Sequence, residues 1–116
     1  MAKNKATDTF TLKNNNNVEI TFAAHGGRLL SAKVPSSSGE VADVLIGYDS
    51  VDEAIQGDLF FGALCGRFAN RISGGRFEMD GETIQLDVNN GPNHLHGGNE
   101  GFNQRVWDVE PIEKEG

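Results

Sequence analysis

The sequence has one cysteine, three prolines, one tryptophan and one tyrosine in 116 residues. A single cysteine, Cys65, excludes an internal disulfide. Three prolines and no Gly-X-Y period exclude a collagen-like chain. Basic residues are scarce as well: Lys and Arg total 10 against 17 Asp and Glu, a formal net charge of −7. The ten are scattered, which argues against a phosphate-tracking nucleic-acid surface and against an anionic membrane surface. No run free of charges and breakers approaches the roughly 20 residues of a membrane-spanning helix. Lys3 and Lys5 are followed by no apolar stretch, so no signal peptide is expected. These absences predict a soluble, cytoplasmic protein with neither nucleic acid nor membrane as a partner.

What the chain does have is glycine, 15 of 116, and alternation. The apolar period is two over most of its length, the pattern of half-buried strands. Thr9 to Lys13 and Val18 to Phe22 alternate on either side of four asparagines, Asn14 to Asn17, and predict an antiparallel hairpin. Arg28 to Val34 predicts a third strand, stopped by Pro35 and a Ser/Gly loop. Val41 to Tyr48 predicts a fourth, apolar enough for a core. The one helix candidate is Ser50 to Gln56, where Ser50 and Glu53 have capping-box spacing. Asp80-Gly81 between Arg76–Met79 and Glu82–Leu86 predicts a hairpin with a type I′ turn. After the Gly- and Asn-rich stretch Asn89 to Gly101, Arg105 to Val109 predicts a last strand, followed by Pro111 and a charged tail ending at Gly116. About seven short strands at this spacing predict an all-β sandwich.

Two segments concentrate polar groups. In Phe60 to Gly75, FFGALCGRFANRISGG, the polar residues Arg67, Asn70 and Arg71 sit among small and apolar ones. Asn offers an acceptor and two donors, and Arg a planar fork of donors, which suits sugar hydroxyls. The same residues equally serve to cap turns and tie loops. In Asn89 to Phe102, NNGPNHLHGGNEGF, His94 and His96 share a face if the backbone is extended. His94, His96 and Glu100 have the order of a cupin metal motif, but the flanking glycines are missing and no histidine follows position 96. The competing readings are a hydrogen bond from His96 to a neutral ligand, and two histidines that hold the loop. Cys65 reads as a small buried apolar residue, His25 as structural, and Trp107 as core.

Taken in order, these segments resemble the aldose 1-epimerases, the galactose mutarotases. The resemblance runs from Gly26-Gly27-Arg28-Leu29 through Asp43 to Asp49 (DVLIGYD) and Phe61-Gly62-Ala63. It continues through Gly66-Arg67-Phe68-Ala69-Asn70-Arg71-Ile72 and Asp80-Gly81 to Asn89 to Gly98 (NNGPNHLHGG), and ends at Arg105-Val106-Trp107. It implies an antiparallel β-sandwich of the mutarotase type, of which residues 1–116 form the N-terminal part, the remainder of the same protein being a further partner. It implies that Asn70, Arg71 and His96 bind an aldohexose such as galactose or glucose, with Arg67 in support. The implied reaction interconverts α and β anomers by ring opening. A glutamate acts on the C1 hydroxyl and a histidine on the ring oxygen, without metal or organic cofactor. That acid and base match no motif position here, so no catalytic residue is assigned and the chain alone is expected to be inactive. The alternatives are a non-catalytic sugar-binding or structural β-sandwich and, less well supported, a cupin-like metal protein.

Overall fold

The structure, a computed structural model, describes residues 3–113. The first two residues and the last three of the charged tail lie outside them. Eight strands, one more than the sequence pattern counts, form three antiparallel sheets. The largest has the order β1(Thr9–Lys13), β2(Glu19–Ala23), β3(Arg28–Pro35), β4(Val41–Asp43). β5(Arg71–Ile72) pairs with β8(His94–Leu95), and β6(Arg76–Met79) with β7(Glu82–Gln85). No helix among the described residues is long and apolar enough to cross a membrane.

Both expected hairpins form, for the expected reasons. Asn14 Oδ1 accepts the backbone N–H groups of Asn16 and Val18, so the first asparagine of the run closes the β1–β2 loop. Phe10 faces Phe22 and Leu12 faces Ile20 across the pair, and the two phenylalanine rings stack at 5.6 Å. At the β6–β7 turn Asp80 has φ 52° and Gly81 φ 81°, both positive as a type I′ turn requires. The helix α1(Val51–Gln56) is capped by Ser50, whose side chain accepts the Glu53 N–H, while Glu53 Oε2 accepts the Asp49 N–H.

The fourth strand is shorter than the pattern predicts. It ends at Asp43 because Asp43 Oδ1 accepts both the Ala32 and the Leu45 N–H, which bends the chain off the sheet edge. The same two amides hold the Asp43 carboxyl below its ordinary pKa. Val41, Val44 and Ile46, expected in a core, are exposed. The last predicted strand is reduced to a single bridge, His25 to Val106, so the partner of this segment is early in the chain. Gly26 N to Arg105 O, Trp107 N to Ala24 O and Val109 N to Asn4 Oδ1 complete that seam.

A bulge in β3 decides which residue is buried. Thr21 faces Ser31 but Phe22 faces Leu29, so Leu30 is left without a partner. One extra residue reverses the faces beyond it. Arg28 then lies opposite Ala23 and is 1% exposed, beside the fully buried Ala23 and Ala24. Its Nη1 donates to the Leu59 carbonyl at 2.9 Å and the Phe61 carbonyl at 2.8 Å, and its guanidinium lies 5.4 Å from the Tyr48 ring centre. Tyr48 Oη in turn accepts the Leu59 N–H.

Buried apolar residues are few among the described residues: Ala23, Ala24, Ala54 and Leu95. Thirteen large apolar side chains among the described residues are exposed, Ile46 and Ile112 the most. The radius of gyration is 17.5 Å. A compact chain of this length has about 13 Å. The sheets therefore spread apolar surface outward rather than closing it.

His25, 8% exposed, has its pKa lowered by burial and then by the nearby Arg28 charge. A lowered histidine pKa means that the unfolded chain binds the proton more tightly. Stability is present above the ordinary imidazole value and is lost as pH falls through the folded one. Denaturant midpoints are expected to drop between about pH 7 and pH 5, and to drop less in His25→Gln. Equal pH slopes in the two proteins would contradict the assignment.

Candidate functional site

The site forms where two loops are forced together. Gly97 has φ 96°, and a Cβ there would collide with the Gly66 carbonyl oxygen, which accepts the Phe102 N–H at 3.1 Å. This contact lays the 94–101 segment against the 66–72 segment. Just beyond it, β5 and β8 pair, with Arg71 opposite Leu95 and Ile72 opposite His94.

At the head of that pair, Asn70 and His96 lock each other. The Asn70 N–H donates to His96 Nδ1 at 3.0 Å, and the His96 N–H donates to the Asn70 carbonyl at 3.1 Å. Both residues have positive φ, 64° for Asn70 and 50° for His96. Such conformations cost about 1–3 kcal/mol each outside glycine and persist where neighbours over-determine them. The other two non-glycine residues with positive φ, Asn17 and Asp80, sit in hairpin turns. Because Nδ1 accepts a hydrogen bond, neutral His96 carries its proton on Nε2 and donates there. The Phe60 ring packs on the imidazole at 4.7 Å between centres. Phe60 is itself flanked by the two carbonyls that Arg28 holds.

Arg71 completes the group. Its N–H donates to Asn70 Oδ1 and its Nε to Asn90 Oδ1, both at 2.9 Å. Among the described residues no hydrogen bond occupies the Asn70 amide nitrogen, the Arg71 terminal nitrogens or His96 Nε2. The cluster is thus three sets of free donors, one of them charged, with no carboxylate bonded to it. It matches a ligand rich in oxygen acceptors.

The sequence residues are distributed unequally. Asn70, Arg71 and His96 come together. Arg67 lies apart: its guanidinium sits 5.5 Å from the Phe102 ring centre, in an open cleft of about 780 Å³ whose lining includes Phe68, His94 and Trp107 but none of the three. His94 and His96 do not share a face, since His96 leaves the extended region. His94 is 2% exposed, and its Nδ1 donates to the Asp87 carbonyl at 2.8 Å, so it holds the loop. Asp87 accepts the Asn99 N–H, which is the first cause of its lowered pKa. Among the described residues no three His, Cys, Asp or Glu groups converge as for a metal ion. Cys65 is half-buried rather than fully enclosed. Trp107 packs edge-on against Phe102. Phe60 and Asn90 touch the site residues, and the sequence gives neither a role; Asn90 stands in the Asn-rich stretch of the NNGPNHLHGG motif, a signal that marks the loop but not the residue.

A family model described as Aldose 1-epimerase matches residues 8–116. The chain is 43% identical over 99 residues to the aldose 1-epimerase of Escherichia coli (strain K12), covering 85% of this chain and 29% of that protein. It is 38% identical over 90 residues to the galactose mutarotase of Bos taurus, covering 78% and 26%. Among solved structures, a GalM/aldose epimerase homologue from C. elegans matches with a TM-score of 0.85 at 30% identity, over 91% of this chain and 33% of that one. The galactose 1-epimerase of Lactobacillus acidophilus NCFM matches with a TM-score of 0.75 at 29% identity, over 90% and 30%. The chain therefore spans under a third of the length of these curated relatives.

The loop contact makes a graded prediction. Gly97→Ala is expected to lose about 3–5 kcal/mol, strain and overpacking together. Gly39→Ala, where φ is 84° but nothing lies within 4 Å, is expected to lose about 1–2 kcal/mol. Denaturant unfolding of the two variants measures the difference, and equal losses would show that the Gly97–Gly66 approach is not tight.

Proposed function

The chain belongs to the aldose 1-epimerase family, and on that footing we propose that it supplies part of the sugar-binding site of a mutarotase. The observation that carries the reading is the Asn70–His96 lock with Arg71 beside it. The three residues implied by the family motifs are brought to one place, two of them in strained backbone, with their donors free. An aldohexose such as galactose or glucose offers hydroxyl and ring oxygens to these donors. Arg67 is given a supporting part through Phe102 and the loop, not through the sugar. The acidic composition with a single cysteine supports a cytoplasmic site of action.

The reaction moves one proton off the C1 hydroxyl and one onto the ring oxygen. The C1–ring oxygen bond breaks, C1 becomes a carbonyl, the C1–C2 bond rotates, and closure on the other face gives the second anomer. An acid and a base on opposite sides of one bond are needed. His25 and His94 are more than nine-tenths buried. His96 is the remaining imidazole, and no carboxylate bonds to the cluster. We therefore assign binding and orientation to these residues and no turnover to the 116-residue chain alone. The exposed apolar side chains support a second surface, on which the further chain present in the longer relatives packs to complete one domain.

Polarimetry of fresh α-galactose is expected to show the spontaneous rate in the presence of this chain. In a protein of the relatives' full length carrying this sequence, His96→Asn or Arg71→Ala is expected to lower turnover by about a hundredfold. Rapid mutarotation by the 116-residue chain, or full activity in both variants, would overturn the assignment. A folded chain that shows no galactose-induced change in a titration would favour a structural role.

A further inference from the structure

The loop between Asp87 and His94 contains three asparagines, and they do three different things. Asn89 is spent on the backbone of β8: its Nδ2 donates to the Leu95 carbonyl at 2.9 Å and its Oδ1 accepts the Leu95 N–H at 2.7 Å. Asn93 Oδ1 accepts the Gly74 N–H. Both serve to hold the loop, as Asn14 does in the first hairpin. Asn90 differs. Its side chain bonds to no backbone group among the described residues; its Oδ1 accepts the Nε–H of Arg71 at 2.9 Å.

The main chain under Asn90 is fixed. Asn90 and Asn93 form a two-way bridge, Asn90 N to Asn93 O and Asn93 N to Asn90 O, both at 3.0 Å. Asn93 is in turn tied to Gly74, in the turn that follows the site strand β5. Asn90 Oδ1 is thereby an acceptor at a defined point, half-buried, facing an exposed arginine. Arginine is among the side chains with most rotamer freedom to lose on ordering. A bond at Nε fixes the guanidinium plane and leaves both terminal nitrogens unspent. Their N–H groups then present a flat fork, whose spacing suits two neighbouring oxygens of one ligand.

We propose that Asn90 is a positioning residue of the sugar site: it sets the plane of the Arg71 guanidinium so that its two terminal nitrogens meet adjacent hydroxyl oxygens of the aldose. The inference rests on the sugar-site reading for its ligand, and on the Asn90–Arg71 hydrogen bond for its geometry. The two are separable by experiment.

The test uses ¹⁵N-labelled chain. The Arg71 Nε–H resonance, assigned by its loss in Arg71→Ala, is expected to be slow to exchange with solvent in the native protein. In Asn90→Ala it is expected to become fast-exchanging, and in Asn90→Asp, which keeps an acceptor at the same place, to be protected again. Galactose titration followed on the same spectra is expected to show about tenfold weaker binding for Asn90→Ala, recovering to within about threefold of the native value in Asn90→Asp. Backbone resonances of β1, β2 and β6 report whether each variant keeps its fold. An Nε–H that stays protected in Asn90→Ala, or galactose affinity that does not change there, overturns the role of Asn90 while leaving the sugar site standing. Absence of galactose binding by the native chain, with the Nε–H behaving as described, overturns the sugar site itself and Asn90's part in it.

Discussion

The rest of the molecule hangs on a buried arginine. Arg28 is brought inside by one unpaired residue in β3, and a charge taken out of water must be satisfied where it lands. It is met by the carbonyls of Leu59 and Phe61 and by the face of Tyr48. That arrangement does more than neutralise a cost. The two carbonyls flank Phe60, so holding them sets the direction of Phe60, and Phe60 is the ring that packs on His96. A sheet, a connecting loop and the His96 imidazole are linked through one guanidinium. Removing it would leave the Phe61 carbonyl without a donor among the described residues, the Leu59 carbonyl with only the Tyr48 hydroxyl at 3.4 Å, and the Phe60 ring without a fixed seat.

The donors of Asn70, Arg71 and His96 share a second property. They are unspent, and two of the three residues, Asn70 and His96, are strained and reciprocal. Asn70 and His96 each satisfy the other's backbone, which leaves the imidazole Nε2–H, the asparagine amide and the arginine fork with no partner among the described residues. Donors held in this way have their geometry set in advance, and preorganised groups need less ordering on binding. No carboxylate bonds to the cluster among the described residues, which makes it a cradle of donors suited to holding oxygens.

Much of this was legible before any coordinates. The hairpins followed from alternation and from Asn and Asp-Gly at the turns, because turn chemistry is local. The helix cap at Ser50 was legible for the same reason. What failed was decided at a distance. Val41 to Tyr48 reads as a core strand because it is apolar, but a core requires something to cover it, and Val44 and Ile46 are exposed. His94 and His96 share a face only on extended backbone, and the tight Gly97 contact with Gly66 takes His96 out of it. Asn70, Arg71 and His96 stand in motifs whose order along the chain can be read from the sequence. Phe60 lies outside them and Asn90 lies inside one, but nothing in their own neighbourhoods says which side chain either will meet. β5 and β8, two residues each, carry no periodicity that could be read.

The seam between the two ends has a temporal consequence. The bond from Val109 to Asn4 joins residues 105 apart, whereas the Asn70–His96 lock closes a span of 26. Closure entropy grows with the logarithm of the span, which makes the longer loop about 1 kcal/mol more expensive to close. The lock needs only the residues up to His96 to exist, and the seam needs those up to Val109. During synthesis the Asn70–His96 lock can therefore assemble first, and the tie between the ends comes afterwards. On slow opening the order reverses, so backbone amides at 105–109 should become exchangeable while those at 70 and 96 are still held.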